Sequence, residues 1–247
     1  GVQTCALPIL RWQSSTDSFA TDITNITNAT SSYTASGLTQ TTYYRVVVKS
    51  GVCDSAFSSV VKITVSELAQ GGKVLGATRI CTGNSVTLTL NGAQVGTPQW
   101  QSATTGAFSN VTGGTGATSS SYITPNLTTT TRYRALLTNG ACTALSDTAT
   151  ILVDSASLGG SISGSTTVCT GTNTTNLTLS GNRGTIVRWQ SSIDSFVTDI
   201  TDITNSTNLY TASGLTQTTY YRAIVKNGVC DSAISSVAKV TVSGLAT

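Results

Sequence analysis

The sequence predicts an all-β chain, a tandem series of antiparallel β-sandwiches with about 88 residues per repeat. Three observations carry this. First, a unit recurs: Trp12, Trp100 and Trp189 lie 88 and 89 residues apart, and Cys53, Cys142 and Cys230 lie 89 and 88 apart. Such self-similarity overrides any domain count drawn from length alone. The outer copies, residues 10–66 and 187–243, agree at 44 of 57 ungapped positions, while the middle copy is more distant. Second, apolar and polar residues alternate with period two, the mark of half-buried strands, and no window shows a helical period. Third, glycine and Asn-Gly pairs punctuate the runs; Asn227-Gly228 between two alternating stretches is a strong hairpin signal.

The elements follow in order from the second and third copies, which are complete. Each opens on a Gly-rich connector (AQGGKVLG, SLGGSISG) and a cysteine (ICTG, VCTG), then alternates as VTLTL or NLTLS. The tryptophan run comes next (QWQS, RWQSS), followed by SYITP or LYTAS, by RYRALL or YYRAIV, and by TATILV or AKVTV. About seven short strands with one tryptophan on an early strand describe an immunoglobulin-like or fibronectin-III-like sandwich. Alternation from Leu215 through Tyr221 to Val225 puts Tyr44, Tyr133 and Tyr221 where a tyrosine corner is expected, its hydroxyl returning to nearby backbone. Each tryptophan reads as core.

Cys81 precedes Cys142 by 61 residues and Cys169 precedes Cys230 by 61, which predicts two disulfides, each within its own repeat. Zinc is the rival, but the chain has no histidine and two cysteines per repeat, too few ligands. Disulfides imply an oxidising, non-cytoplasmic compartment. The partner of Cys53 falls before residue 1 by this spacing, so Cys53 is expected to be unpaired through truncation of the first repeat. Cys5, seven residues before Trp12, is not its equivalent. GVQTCALPI is the translation of the end of a common short-read sequencing adapter. Residues 1–9 are therefore expected to be a library artefact, residues 10–66 a shortened repeat, and 67–155 and 156–247 complete ones. The close VSGLAT resembles VSELAQ at the end of the first copy, so further repeats are expected on both sides.

No histidine, one glutamate and nine aspartates leave catalytic and metal constellations little to draw on, so neither enzyme activity nor a cofactor is expected. The aspartates recur in register, Asp17 with Asp194 and Asp54 with Asp231, which suits turns. A net charge of +3 in a chain with only 9% charged residues argues against a nucleic-acid partner. One polar face stands out. Alternation places Arg188 and Gln190 beside Tyr220, Arg222 and Lys226, and the first repeat matches this with Arg11, Gln13, Tyr43 and Arg45. Guanidinium and amide groups beside an aromatic could take a sugar or acidic polymer; a solvated sheet face that resists sticking is the plainer reading.

The run WQSSxDxF, then TAS-LTQTTYYRA, then NGVCDSA, with the Gly-rich connector and CTG, resembles the tandem immunoglobulin-like repeats of large secreted surface adhesins of Bacteroidota. These include gliding-motility adhesins exported by type IX secretion. The resemblance covers residues 10–247 and implies O-glycosylation at Asp-Ser/Thr-small sites, here Ser55, Thr148, Ser155 and Ser232. It implies a non-catalytic extracellular stalk or adhesive segment of a bacterial cell-surface protein. The partners are then neighbouring repeats and an unknown surface ligand such as a glycan, with no membrane insertion in this stretch. A carbohydrate-binding accessory module of a secreted polysaccharide-active protein is the alternative.

Overall fold

The computed structural model describes residues 8–92 and 94–244. It is all β, with 23 strands and no helix among the described residues. The chain divides into two compact units. The first is Gly1–Gln70 with Gln94–Thr97 and Leu137–Ala144; the second is Gly71–Ala93, Pro98–Leu136 and Leu145–Thr247.

The third repeat, wholly in the second unit, shows the design. A three-stranded sheet (Ser161–Ser163, Thr174–Ser180, Leu209–Ser213) faces a six-stranded one. The larger sheet runs Thr166–Cys169, Ala238–Ser243, Thr219–Lys226, Thr185–Ser192, Thr201–Ile203, with Ala233–Ile234 also paired to Thr219–Lys226. Among the described residues, the sandwich departs from pure antiparallel pairing at one place per complete repeat. Thr166–Cys169 runs parallel to Ala238–Ser243, with Cys169 opposite Ser243, and Thr78–Cys81 runs parallel to Ala149–Asp154, with Cys81 opposite Asp154.

Alternation decides what is buried. Along Thr219–Lys226 the inward positions Tyr221, Ala223 and Val225 are closed from solvent and meet Leu177, Leu179, Trp189 and Val240. At roughly 1.5–3 kcal/mol for each large side chain buried, this layer is the main source of stability. An aromatic ladder crosses it: Trp189 to Tyr210 at 5.7 Å and Tyr210 to Tyr221 at 5.5 Å between centroids. Trp189 Nε1 donates to the Thr207 carbonyl at 3.0 Å, so the indole's one polar group is satisfied. Trp100, Tyr122 and Tyr133 repeat the ladder, as do Trp12, Tyr33 and Tyr44.

The tyrosine-corner expectation needs correction. Tyr44, Tyr133 and Tyr221 are buried, but among the described residues none of their hydroxyls donates to backbone. Their rings stand in the aromatic ladder, and burial pushes the pKa of Tyr133 and of Tyr221 up to about 12.

Among the described residues, the first repeat has one five-stranded sheet, which includes Ile9–Ser15 and Thr42–Val48. Of the residues expected to be artefact, 1–7, Cys5 among them, lie outside the described ones. Pro8 accepts a hydrogen bond from Lys49 N at 3.3 Å, and Ile9 pairs with Val48. Trp12 and Tyr33 are only half-buried, and a groove of about 240 Å³ lies between Trp12, Tyr33, Ala35, Tyr44, Val61 and Ile63.

Candidate functional site

The largest correction to the sequence reading concerns the cysteines. Cys81 is bonded to Cys230, 149 residues away, and Cys53, Cys142 and Cys169 are free thiols. Neither the Cys81–Cys142 nor the Cys169–Cys230 pairing forms. The third repeat shows why. Cys169 lies opposite Ser243, beyond the end where Thr219 pairs with Val240, whereas Cys230 follows the other end of the Thr219–Lys226 strand. Eight residues of strand separate those two ends by roughly 26 Å, far beyond the ~7 Å that a disulfide can span between backbones. Cysteines with the same spacing in sequence thus stand at opposite poles of one sandwich, and the bond reaches from one repeat to the next.

Around the bond the two repeats are joined by polar contacts within the second unit. The Asp154 carboxylate accepts from Val229 N at 3.0 Å and from Arg79 Nη1 at 2.6 Å. These hold its carboxyl below the usual carboxylate range, the Val229 amide first and the Arg79 guanidinium after it. Asn227 N donates to Ser157 Oγ at 2.8 Å and Asn227 Nδ2 to the Ser155 carbonyl at 2.7 Å. Gly228 has φ 53°, and any Cβ on it would overlap the Asp154 carboxylate, so this position requires glycine twice over. Within the first unit Asn139 Nδ2 donates to the Glu67 carbonyl at 2.9 Å and Cys142 Sγ lies 3.9 Å from the Ser66 carbonyl. Sequence reasoning missed the joint. Its one signal was Asp154, which stands where the other repeats carry Ser66 and Ser243.

The predicted polar face is assembled, and much of it is committed to itself. Asp202 Oδ1 accepts from Arg188 Nε at 2.9 Å and Gln190 Nε2 at 2.7 Å, and Gln190 Oε1 accepts from Arg222 Nε at 2.7 Å. Arg222 lies over the Phe196 ring at 4.0 Å. The first repeat copies this with Arg11, Gln13, Asn25 and Arg45, the last over Phe19 and Phe57 at 4.1 and 4.0 Å. In the middle repeat Arg134 donates to Gln101 and lies over Phe108. Tyr220 is instead taken by Lys239, and Tyr43 by Lys62, each ammonium 5.7 Å from the ring. Lys226 lies four residues beyond Arg222 on the same strand and does not join the cluster.

A carboxylate-nucleated loop sets the supporting ring in place. Asp194 accepts from the Thr198 hydroxyl and amide, the Ser192 hydroxyl and the Val197 and Asp199 amides. The Thr198 hydroxyl is the chief reason its carboxyl is held well below the usual range. This cage maintains Ser195 and Phe196 at φ 61° and 68°, costly for non-glycine residues. Asp17 does the same for Ser18 and Phe19. The glycosylation candidates Ser55, Thr148, Ser155 and Ser232 are all exposed. No group of metal-ligating side chains and no helix able to cross a membrane occurs among the described residues.

A domain of unknown function, DUF8696, matches three times, over residues 3–67, 70–155 and 158–244. The chain belongs to the DUF8696 family. Its repeats match no curated protein by sequence. Among solved structures, the DUF8696 chain is similar to an I-band fragment of titin (10% identity, TM-score 0.48, covering 83% of this chain and 74% of that one). It is also similar to one chain of the crystal structure of a mouse coronavirus receptor-binding domain complexed with its murine receptor (16%, 0.44, 66% and 95%). The four N-terminal Ig domains of Dscam1 isoform 6.9 give 13%, 0.39, 82% and 54%.

Proposed function

We propose that these DUF8696 repeats form a non-catalytic extracellular segment, a stalk or adhesive region of a large bacterial cell-surface protein. The observation that carries this reading is the Cys81–Cys230 bond between successive repeats, with Asp154 beside it. A disulfide of this kind persists in an oxidising compartment, and joining neighbours covalently suits a segment whose task is to keep its length under load. In a repeat array each unit otherwise contacts only its neighbours, so the joint governs bending. The resemblance of WQSSxDxF and NGVCDSA to surface-adhesin repeats points the same way.

The test is glycan retention on an array of bacterial and algal polysaccharides, read for the wild type and for a Tyr220→Ala/Arg222→Ala double variant. The expected result is the same background for both proteins. Saturable binding of the wild type that the double variant loses would replace the stalk with a carbohydrate-binding accessory module.

A further inference from the structure

We propose that the Cys169 pole of the third repeat is a docking surface for the Gly-Val-Cys loop of a further copy of this repeat, and that oxidation links Cys169 to that loop's cysteine. The inference deepens the array reading and rests on it.

The acceptor already has the form seen in the bonded joint. Thr82 N donates to the Asp154 carbonyl at 2.8 Å beside Cys81, and Thr170 N donates to the Ser243 carbonyl at 3.0 Å beside Cys169. The cysteine in each case closes the parallel strand pair, opposite Asp154 or Ser243. Cys81 is bonded; Cys169 is an exposed thiol. Serine in place of aspartate does not prevent docking, because within the first unit the Cys142 loop lies against the Ser66 carbonyl.

The donor is also preformed. Asn227-Gly228-Val229-Cys230, the docked loop, is closed by Cys230 N to the Asn227 carbonyl at 3.0 Å with Gly228 at φ 53°. Ser50-Gly51-Val52-Cys53 is closed in the same way at 3.1 Å with Gly51 at φ 53°. Val52 is fully exposed and Cys53 is exposed, so among the described residues this loop has nothing seated on it. Between two copies of this chain the matching pair is therefore Cys169 of one and Cys53 of the other, a head-to-tail contact that generates open chains. The bond forms by exchange with a small-molecule disulfide such as oxidised glutathione. One protein thiolate attacks it and releases one reduced glutathione; the second thiolate then displaces the other. Two electrons pass to glutathione, which leaves as two thiols carrying the two protons.

The experiment mixes equal amounts of full-length Cys169→Ser and Cys53→Ser chains, so that a Cys53–Cys169 link can only join two molecules, incubates them in a glutathione redox buffer, natively and in ~6 M urea, and maps the linked peptides after cleavage at aspartate, which separates Cys142 from Cys169. Random pairing already gives the mixed link about twice as often as either like link; natively, Cys53–Cys169 should exceed that statistical share by about tenfold, a preference that ~1.4 kcal/mol of docking supplies, and in urea it should fall back to the statistical ratio. A native ratio no higher than the ratio in urea overturns the docking proposal while Cys81–Cys230 remains in the map. Absence of Cys81–Cys230 from the same native map overturns the array reading as well.

Discussion

Pulling on the two ends of the chain should give a contour length set by the redox state. With Cys81 bonded to Cys230, the 149-residue separation cannot be extended even after both repeats unfold. At about 3.5 Å for each stretched residue, that withholds about 520 Å. The tension also bypasses most of the second and third repeats, because it crosses from Cys81 to Cys230 through the sulfurs. Single-molecule force spectroscopy reads this directly. Oxidised chains should come out about 520 Å shorter than reduced ones, and Cys230→Ala should match the reduced length under either condition. The same link restricts the unfolded chain, and the loop-entropy relation assigns it about 5 kcal/mol for a loop of this size. Equal contour lengths with and without reductant would refute the inter-repeat bond and the load path derived from it.

Two further tests address the joint and the polar face. Gly228→Ala should cost more than Gly51→Ala in denaturant unfolding: both pay about 1–2 kcal/mol for a left-handed residue, but only the first displaces a carboxylate, that of Asp154. A carboxyl titration followed by NMR should show Asp154 moving up to the ordinary range in that variant; equal costs, or an Asp154 that does not move, would remove Asp154 from the joint. Asp194 should titrate well below about 3.9, the ordinary aspartate value, because Thr198 and its neighbours favour the charged form. A lowered folded pKa means its contribution is complete above the unfolded value and is lost as pH falls through the folded one. The loop carrying Phe196 should accordingly persist at pH 4 and open only in stronger acid, and an ordinary titration near 4 would sink the cage.

Much of the fold was legible because the alternation was strict. RWQSS and YYRAIV fix which side chains face inward, so Trp189, Tyr221, Ala223 and Val225 fall in the core where period two puts them. The polar face followed from the same alternation, since Arg188, Gln190 and Arg222 are its outward positions. The disulfide did not follow, for a reason intrinsic to repeats. In a periodic chain a separation of 61 and one of 149 differ by a single period, so spacing cannot choose between a cysteine's own repeat and the next. Only strand direction chooses, by sending Cys230 to the pole opposite Cys169. Asp154 was invisible because it appears once among three copies, and reading by recurrence discards what does not recur. The Phe196 support was half visible: DSF recurs in the outer copies, but nothing in the letters says that a phenylalanine will accept a left-handed backbone.

A bond that reaches forward along the chain also imposes a schedule. Cys81 leaves the ribosome well before Cys230; at about 5–20 residues per second, a separation of 149 residues is about 7–30 s. Throughout that interval Cys142 passes by as an earlier, wrong suitor, and what withholds it is the folding of the second sandwich, which carries its two sulfurs to opposite poles. The second repeat is thus sealed by the arrival of the third, so covalent closure trails synthesis by one unit.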